Sequence, residues 1–445
     1  MARYASSLAL SALLLTTTSA APLAIRQEEH TELITQSDGP TEYQISYGPR
    51  PYYIVQNMTD GPLKDKLLSC ENGAYSVTGW SIGHRGGGTL QIPEESAQSQ
   101  EAGARMGAGI LECDVAFTYD LQLVCRHSQC DLHTTTDILT RPELAAKCTQ
   151  PFTPANDTAP ASALCCTSDI TLDEYFTLCS KMDGSNSSAV TPEDYQSGVP
   201  FFRTQLYDTC ATPLSLHTYI DLVDSFPGFR NFTPELKTPP STVPMPFHGY
   251  TQEQFARDMI EAFISKGISP DRVWPQSFNP PDIFQWIAEY PEFGAQAVYL
   301  DEDGDTPDTL ATASLTTRFE NLTSLGVNII SPPFPYLLTY GDSTNTTIVP
   351  SSYALNARAA GLDIIAWSFE RSGPLSRVQA DADYYYFTID QAVSYDGQLY
   401  EILDVLANDI GIVGMFSDWS ATTGYFANCF GLEGPKGGSY YSKRR

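Results

Sequence analysis

The hydrophobic pattern of the chain changes character near residue 77. Upstream, residues 21–76 are polar with Pro, Gly and Tyr interspersed, as in Tyr47-Gly48-Pro49-Arg50-Pro51-Tyr52-Tyr53, and read as an N-terminal extension: a processed pro-segment or an arm packed on the main domain. Downstream, apolar runs of strand length recur at 77–83, 110–115, 232–236, 273–278, 295–300, 327–330, 362–367 and 412–417. Helix-period stretches separate several of them, among them 93–106, 252–266 and 281–290, with Pro93 expected in the first helical turn. Strands alternating with helices imply a parallel sheet with helical crossovers. Eight such units favour an α/β fold of the TIM-type (β/α)8 class over an open sheet. The expected barrel covers 77–430, and 431–445 reads as a polar, basic tail.

Residues from about 137 to 230 break this rhythm. They are rich in Ser, Thr and Asp and hold Cys148, Cys165, Cys166, Cys179 and Cys210, which suggests a disulfide-rich insertion after the second strand. The chain has 10 cysteines, an even number that permits full pairing. Cys125 and Cys130 are candidates to close a short loop around His127, and Cys113, on a strand among carboxylates, is a candidate free thiol.

The first 20 residues read as a signal peptide, with Arg3, an apolar core over 8–15 and the small residues Thr18-Ser19-Ala20-Ala21. That core is too short to span a bilayer, and so is every later apolar run. The expectation is a secreted, extracellular protein with no stable membrane insertion. Six Asn-x-Ser/Thr sites (Asn57, Asn156, Asn186, Asn231, Asn321, Asn345) fit that route and mark candidate glycosylated surface loops. A net charge of −28 argues against nucleic acid and anionic membranes as partners. A phosphate-bearing substrate therefore needs local positive charge.

Four strand ends carry that charge and the candidate chemistry. His84-Arg85 ends the first strand, Glu112-x-Asp114 the second, Glu235-x-Lys237 the third and Trp367 the seventh. Glu112, Asp114 and Glu235 make a hard-oxygen set suited to a divalent cation, Ca²⁺ or Mg²⁺. Arg85 and Lys237 suit a phosphate. His84 and His127 form a candidate acid–base pair, since imidazole titrates near neutral pH. No Gly-x-Ser-x-Gly elbow is present. Metal, Arg, Lys and two His point to phosphoester cleavage on a small-molecule phosphodiester.

These residues resemble a known family. His84-Arg85-Gly86, Pro93-Glu94-Glu95-Ser96, the run from Gly107 to Val115, Thr118-x-Asp120, His127 and Pro234-Glu235-Leu236-Lys237 are similar to the motifs of glycerophosphodiester phosphodiesterases. Gln276-Ser277-Phe278, Trp367 and Gly414-Met415-Phe416-Ser417-Asp418 fit the later strand ends, and Arg126 to His133 looks like the cysteine-rich secreted fungal members. The resemblance implies hydrolysis of glycerophosphodiesters to glycerol 3-phosphate and an alcohol. Glu112, Asp114 and Glu235 would bind the metal, His84 and His127 act as acid and base, Arg85 and Lys237 hold phosphate, Glu94 orient Arg85 or the glycerol, and Trp367 line the substrate side. Two departures stand out: Glu95-Ser96 replaces the usual Asn-Thr, and Ser128 replaces the aspartate after the second histidine. The same barrel also admits a phospholipase D-like activity on lysophospholipid or sphingomyelin head groups, or an inactive binding glycoprotein.

Overall fold

A computed structural model of the chain describes residues 43–441, apart from 205–206, 208–209, 229 and 305–311. The proposed signal peptide and residues 21–42 of the N-terminal extension lie outside the described residues. Eight parallel strands close on themselves: β1 (Thr78–Gly83), β2 (Ala108–Phe117), β3 (Asn231–Leu236), β4 (Gln276–Ser277), β5 (Val298–Leu300), β6 (Ile329–Ser331), β7 (Asp363–Phe369) and β8 (Gly414–Ser417). Each pairs with its chain neighbours, and β1 pairs with both β8 and β2, so no strand of the barrel is left as an edge. A short strand, Leu123–Cys125, adds to β2 in antiparallel sense, with Val115 opposite Cys125.

A helix follows every strand: α1 (Ala97–Arg105), α2 (Leu216–Ser225), α3 (Gln252–Ser265), α4 (Pro280–Glu289), α5 (Thr312–Ser324), α6 (Ser352–Ala359), α7 (Gln398–Asp404) and α8 (Ser420–Phe430). The first starts four residues later than its sequence pattern predicts. Glu95 has φ 57°, which no right-handed helix contains, and Ser96 caps the helix by accepting the N–H of Ser99. Residues 93–96 are thereby a loop that turns Glu94 and Glu95 inward, and both are buried.

Side chains alternate along each strand, and the inward set has two storeys. Ile82, Ile110, Trp274, Val298, Ile329, Ile365 and Phe416 fill the lower barrel, joined by Tyr441 from the tail. Two or four residues further along the same strands the inward positions become His84, Glu112, Asp114, Glu235, Gln276 and Trp367. The described part of the C-terminal tail packs against the barrel, where Tyr441 is 1 % exposed and its hydroxyl donates to Asp363.

The region from 137 to 230 divides in two. Its last part, α2, belongs to the barrel wall. Most of the rest surrounds a separate core of Leu132, Ile138, Leu144, Ile170, Tyr175 and neighbours, with a two-stranded hairpin of Gln150–Thr153 and Ser162–Leu164. All ten cysteines are paired: Cys70–Cys429, Cys113–Cys125, Cys130–Cys166, Cys148–Cys165 and Cys179–Cys210. Two expectations are thereby corrected. Cys113 is not free, because its side chain points away from the carboxylates on either side of it and meets Cys125 across the antiparallel pair. Cys125 in consequence does not bridge Cys130, which reaches Cys166 instead.

The described part of the extension is an arm on the barrel. Its helices Arg50–Asn57 and Pro62–Leu68 bury Ile54, Val55 and Leu67. Arg50 grips Glu370 with both Nε and Nη2, and Cys70 ties the arm to α8. Among the candidate glycosylation sites, Asn57, Asn156 and Asn321 are exposed. Asn231 is not in a loop: it opens β3, and Thr233 of the same triplet is buried, its hydroxyl bonded to the Trp274 carbonyl.

Candidate active site

The C-terminal ends of the strands surround a cavity of about 370 Å³, lined among others by His84, Arg85, Glu112, His127, Glu235 and Lys237. Gln276, Phe278, Leu300, Trp367, Tyr385 and Phe416 complete its wall. Residues from 84 to 416 thus meet at one point, as barrel topology requires of strand ends.

The turn after β1 is bent sharply. Arg85 has φ 50°, a left-handed conformation that costs a non-glycine residue energy. Its N–H donates to Glu112 Oε2 at 2.8 Å, and its guanidinium pairs with Glu94 Oε1 at 2.8 Å and lies 3.3 Å from Asp114 Oδ2. Gly103 lets α1 press against this turn. A Cβ there would lie 2.0 Å from the carbonyl oxygen of Gly86.

His84 holds the Asp418 carboxylate through Nδ1, which leaves Nε2 turned toward Glu112, 3.9 Å from Oε2. Burial pushes the imidazole down to about 4; Asp418 opposes this, while Arg85 and Arg371 add to it. His127 has no hydrogen-bond partner among the described residues. Burial, then Arg85 and Lys237, hold it well below the usual histidine range. Its backbone is held by the two residues before it. Cys125 is bridged to Cys113, and Arg126 donates its N–H to the Asp114 carbonyl at 2.7 Å and its Nε to Tyr175 of the insertion at 2.9 Å.

Glu112, Asp114 and Glu235 offer oxygens within 4.8 Å of one another. Asp114 is 1 % exposed, and its two oxygens face Lys237 and Arg85. Lys237 lies 3.0 Å from Asp114 Oδ1 and 2.5 Å from Glu235 Oε1. Burial works against both Asp114 and Lys237 being charged. Lys237 and Arg85 outweigh it for Asp114, which is lowered, and Asp114 and Glu235 outweigh it for Lys237, which is raised. Burial and the neighbouring carboxylates raise Glu112, and burial raises Glu235 to about 8 against the pull of Lys237. Three buried carboxylates with oxygens this close together are a donor set that fits a hard divalent cation.

The two departures from the family motifs have structural answers. Glu95 is fully buried, and burial together with Asp114 raises it well above the carboxylate range. Its Oε1 accepts the backbone N–H of Asp114 at 3.3 Å. At Ser128 the backbone N–H donates to Asp131, 3.1 Å away, a carboxyl that burial raises to about 7. The expected aspartate thus reappears three residues later, bonded to the loop and not to the His127 ring.

Trp367 fixes its ring by donating Nε1 to the Ser331 carbonyl at 2.9 Å. Phe278 and Tyr385 meet it edge to face, at 5.8 and 6.3 Å between centroids.

Sequence reasoning missed four neighbours of this site. Asp418 accepts from His84, from Arg371 at 3.0 Å and from Arg203 at 2.9 Å. The same two arginines approach Glu94 Oε2, at 3.4 and 3.7 Å. Burial alone would raise Glu94 and Asp418, but these cations hold both well below the carboxylate range. Gln276, the fourth, donates to Glu112 Oε1 at 2.7 Å. Asp418 and Gln276 stood in motifs at strand ends, which was a usable signal. Arg203 and Arg371 lie in irregular segments with no motif around them.

Residues 84–390 match the family model described as "Glycerophosphoryl diester phosphodiesterase family". The chain belongs to this family. It is thereby a phosphoric diester hydrolase acting on glycerophosphodiesters. A protein of Arthroderma benhamiae named "Extracellular protein" is 45 % identical over 253 residues, 56 % of this chain and all of that protein. The Arabidopsis thaliana protein named "Glycerophosphodiester phosphodiesterase GDPD6" is 22 % identical over 77 % of this chain and 84 % of its own length. Among solved structures, a putative glycerophosphoryl diester phosphodiesterase from Silicibacter pomeroyi superposes with a TM-score of 0.50 at 18 % identity, covering 83 % of this chain and 98 % of that one, and so shares the fold.

Proposed function

We propose that the chain is a secreted, metal-dependent glycerophosphodiester phosphodiesterase that works by acid–base catalysis between His84 and His127. The observation that carries this is the convergence of both histidines, Arg85, Lys237, Glu112 and Glu235 on one cavity, with Asp114 clustered beside the two glutamates. Glu112, Asp114 and Glu235 would hold a divalent cation, Ca²⁺ or Mg²⁺, which supplies charge stabilisation to the phosphoryl oxygens when bound. Arg85 and Lys237 hold the phosphate and offset the charge that builds on it. With Nδ1 committed to Asp418, His84 presents the Nε2 lone pair to the cavity and takes the proton of the attacking hydroxyl or water. His127, which also lines the cavity, would give a proton to the departing alkoxide once the negative charge of the bound phosphate offsets the burial and the nearby cations that keep it neutral in the free protein. Trp367 and Phe278 wall the organic part of the substrate. The five disulfides suit an oxidising compartment, as does the name of the Arthroderma relative. Among the described residues no helix is long and apolar enough to cross a membrane.

The test is release of glycerol 3-phosphate from glycerophosphocholine by purified protein, with and without chelator. His84→Ala and His127→Ala should each lower kcat about 10²–10⁴-fold. Activity that survives both chelation and His84→Ala refutes the mechanism. One observation favours a second substrate class. From Trp367 the aromatic wall continues through Tyr384 to Phe387, 39 % and 42 % exposed, a strip against which a lysophospholipid chain would pack. Faster turnover of lysophospholipid micelles than of soluble diester would establish that reading.

A further inference from the structure

Arg203 carries the insertion to the active site. Arg203 lies in the loop closed by Cys179–Cys210, where Phe201 and Tyr207 are 62 % and 68 % exposed, yet its own side chain is only 5 % exposed. It turns inward, donates Nη2 to Asp418 Oδ2 at 2.9 Å and brings Nη1 to 3.7 Å from Glu94 Oε2. The other oxygen of Asp418 holds His84 Nδ1. Next to Arg203, the Thr204 N–H donates to the Leu90 carbonyl at 3.2 Å, which pins the loop to the segment after β1. Burying a guanidinium beside a second one, Arg371, is costly and is offset only by well-placed carboxylates. A surface loop has no need of that arrangement for its own stability.

We propose that Arg203 is a positioning residue of the hydrolytic reaction: it fixes the Asp418 carboxylate and, through it, the orientation of the His84 ring. The insertion then completes the catalytic machinery as well as covering it. This rests on the reading of His84 as an acid–base group. Arg203 does not line the cavity, so its loss acts on turnover and leaves substrate binding nearly unchanged.

The experiment is steady-state kinetics on glycerophosphocholine for the wild type, Arg203→Met, Arg203→Lys, Asp418→Asn and the Arg203→Met/Asp418→Asn double variant, with an unfolding curve for each. Arg203→Met should lower kcat about ten- to a hundredfold, the range for losing one charged hydrogen-bond partner, with KM within about twofold. Arg203→Lys keeps the charge without the planar fork and should recover part of the loss. In the double variant the two losses should not multiply, because both act through one ring. A kcat for Arg203→Met equal to wild type, a loss carried by KM, or a full product of losses in the double variant overturns the inference. If Arg203→Met does not fold, Arg203→Lys decides. A wild-type kcat there refutes the proposal, and a reduced kcat at unchanged KM supports it. A wild-type protein that releases no glycerol 3-phosphate would instead refute the reading of the site itself.

Discussion

Consider the thermal unfolding of the protein measured from pH 6 to 8.5, once in chelator and once in excess Ca²⁺ or Mg²⁺. Without a cation, Glu235 is raised to about 8 and Glu112 is also raised, both from an ordinary value of 4.5. A carboxyl raised by folding contributes stability that is complete below 4.5 and is lost as pH rises through the folded value. His84 and His127 have the opposite sign. Held neutral by burial, they lose stability as pH falls below their ordinary 6.5. Asp114, lowered from 3.8, stays ionised over the whole range. Carboxyls and imidazoles thus oppose each other between 4.5 and 6.5, and only the carboxyls act above 6.5. From 6.5 to 8 Glu235 spans 1.5 pH units. At about 1.36 kcal/mol per unit that is about 2 kcal/mol, and Glu112 acts in the same direction. At roughly 2 cal/mol/K of unfolding entropy per residue, Glu235 alone should lower Tm in chelator by about 2 °C over that interval. A cation among the three carboxylates keeps them ionised, removes the fall, and adds about 2.7 kcal/mol at a hundredfold excess over its Kd. The gap between the two Tm curves should therefore widen from pH 6.5 to 8. Scanning calorimetry or fluorimetry reads it directly. A flat Tm in chelator, or a gap equal at both pH values, refutes the reasoning.

Two further substitutions probe the scaffold. Gly103→Ala puts a methyl 2.0 Å from the Gly86 carbonyl oxygen, so α1 or the His84-Arg85 turn must move. We expect about 1–3 kcal/mol of lost stability in a denaturant titration, and a fall in kcat larger than the change in KM. Arg50→Ala removes the guanidinium that holds Glu370, whose side chain is 2 % exposed and which then keeps only Thr422. The expected cost is about 3 kcal/mol, with reduced activity because Glu370 precedes Arg371. Unchanged unfolding midpoints would show that the arm is dispensable.

The barrel was legible because its strands are buried on both faces and so stand out as short apolar runs between helical stretches. The catalytic strand ends were legible for the same reason: His84, Glu112 and Glu235 extend an inward, period-two series that begins with Ile82, Ile110 and Thr233. What escaped was fixed by tertiary approach and not by local pattern. Pro93 looked like a helix start, but burial of Glu94 and Glu95 beside Arg85 and Asp114 overrode that signal. Cys113 looked unpaired beside two acids, but strand alternation turns it to the opposite face, against Cys125. Arg203 and Arg371 carry no periodicity at all. Only the folded barrel brings them within reach of Glu94 and Asp418, across 215 and 47 positions of sequence from the latter.

The bond between Cys70 and Cys429 joins the arm to the last barrel helix across 359 positions and encloses the other four disulfides. It makes residues 70–429 a covalent ring. A protease that cuts one exposed loop of this ring does not release a fragment. It generates the equivalent of a circular permutant, with new ends at the cut and the old ends already joined. Such a nicked molecule would migrate as two pieces only after reduction, and would keep its barrel wherever the cut spares the strand ends.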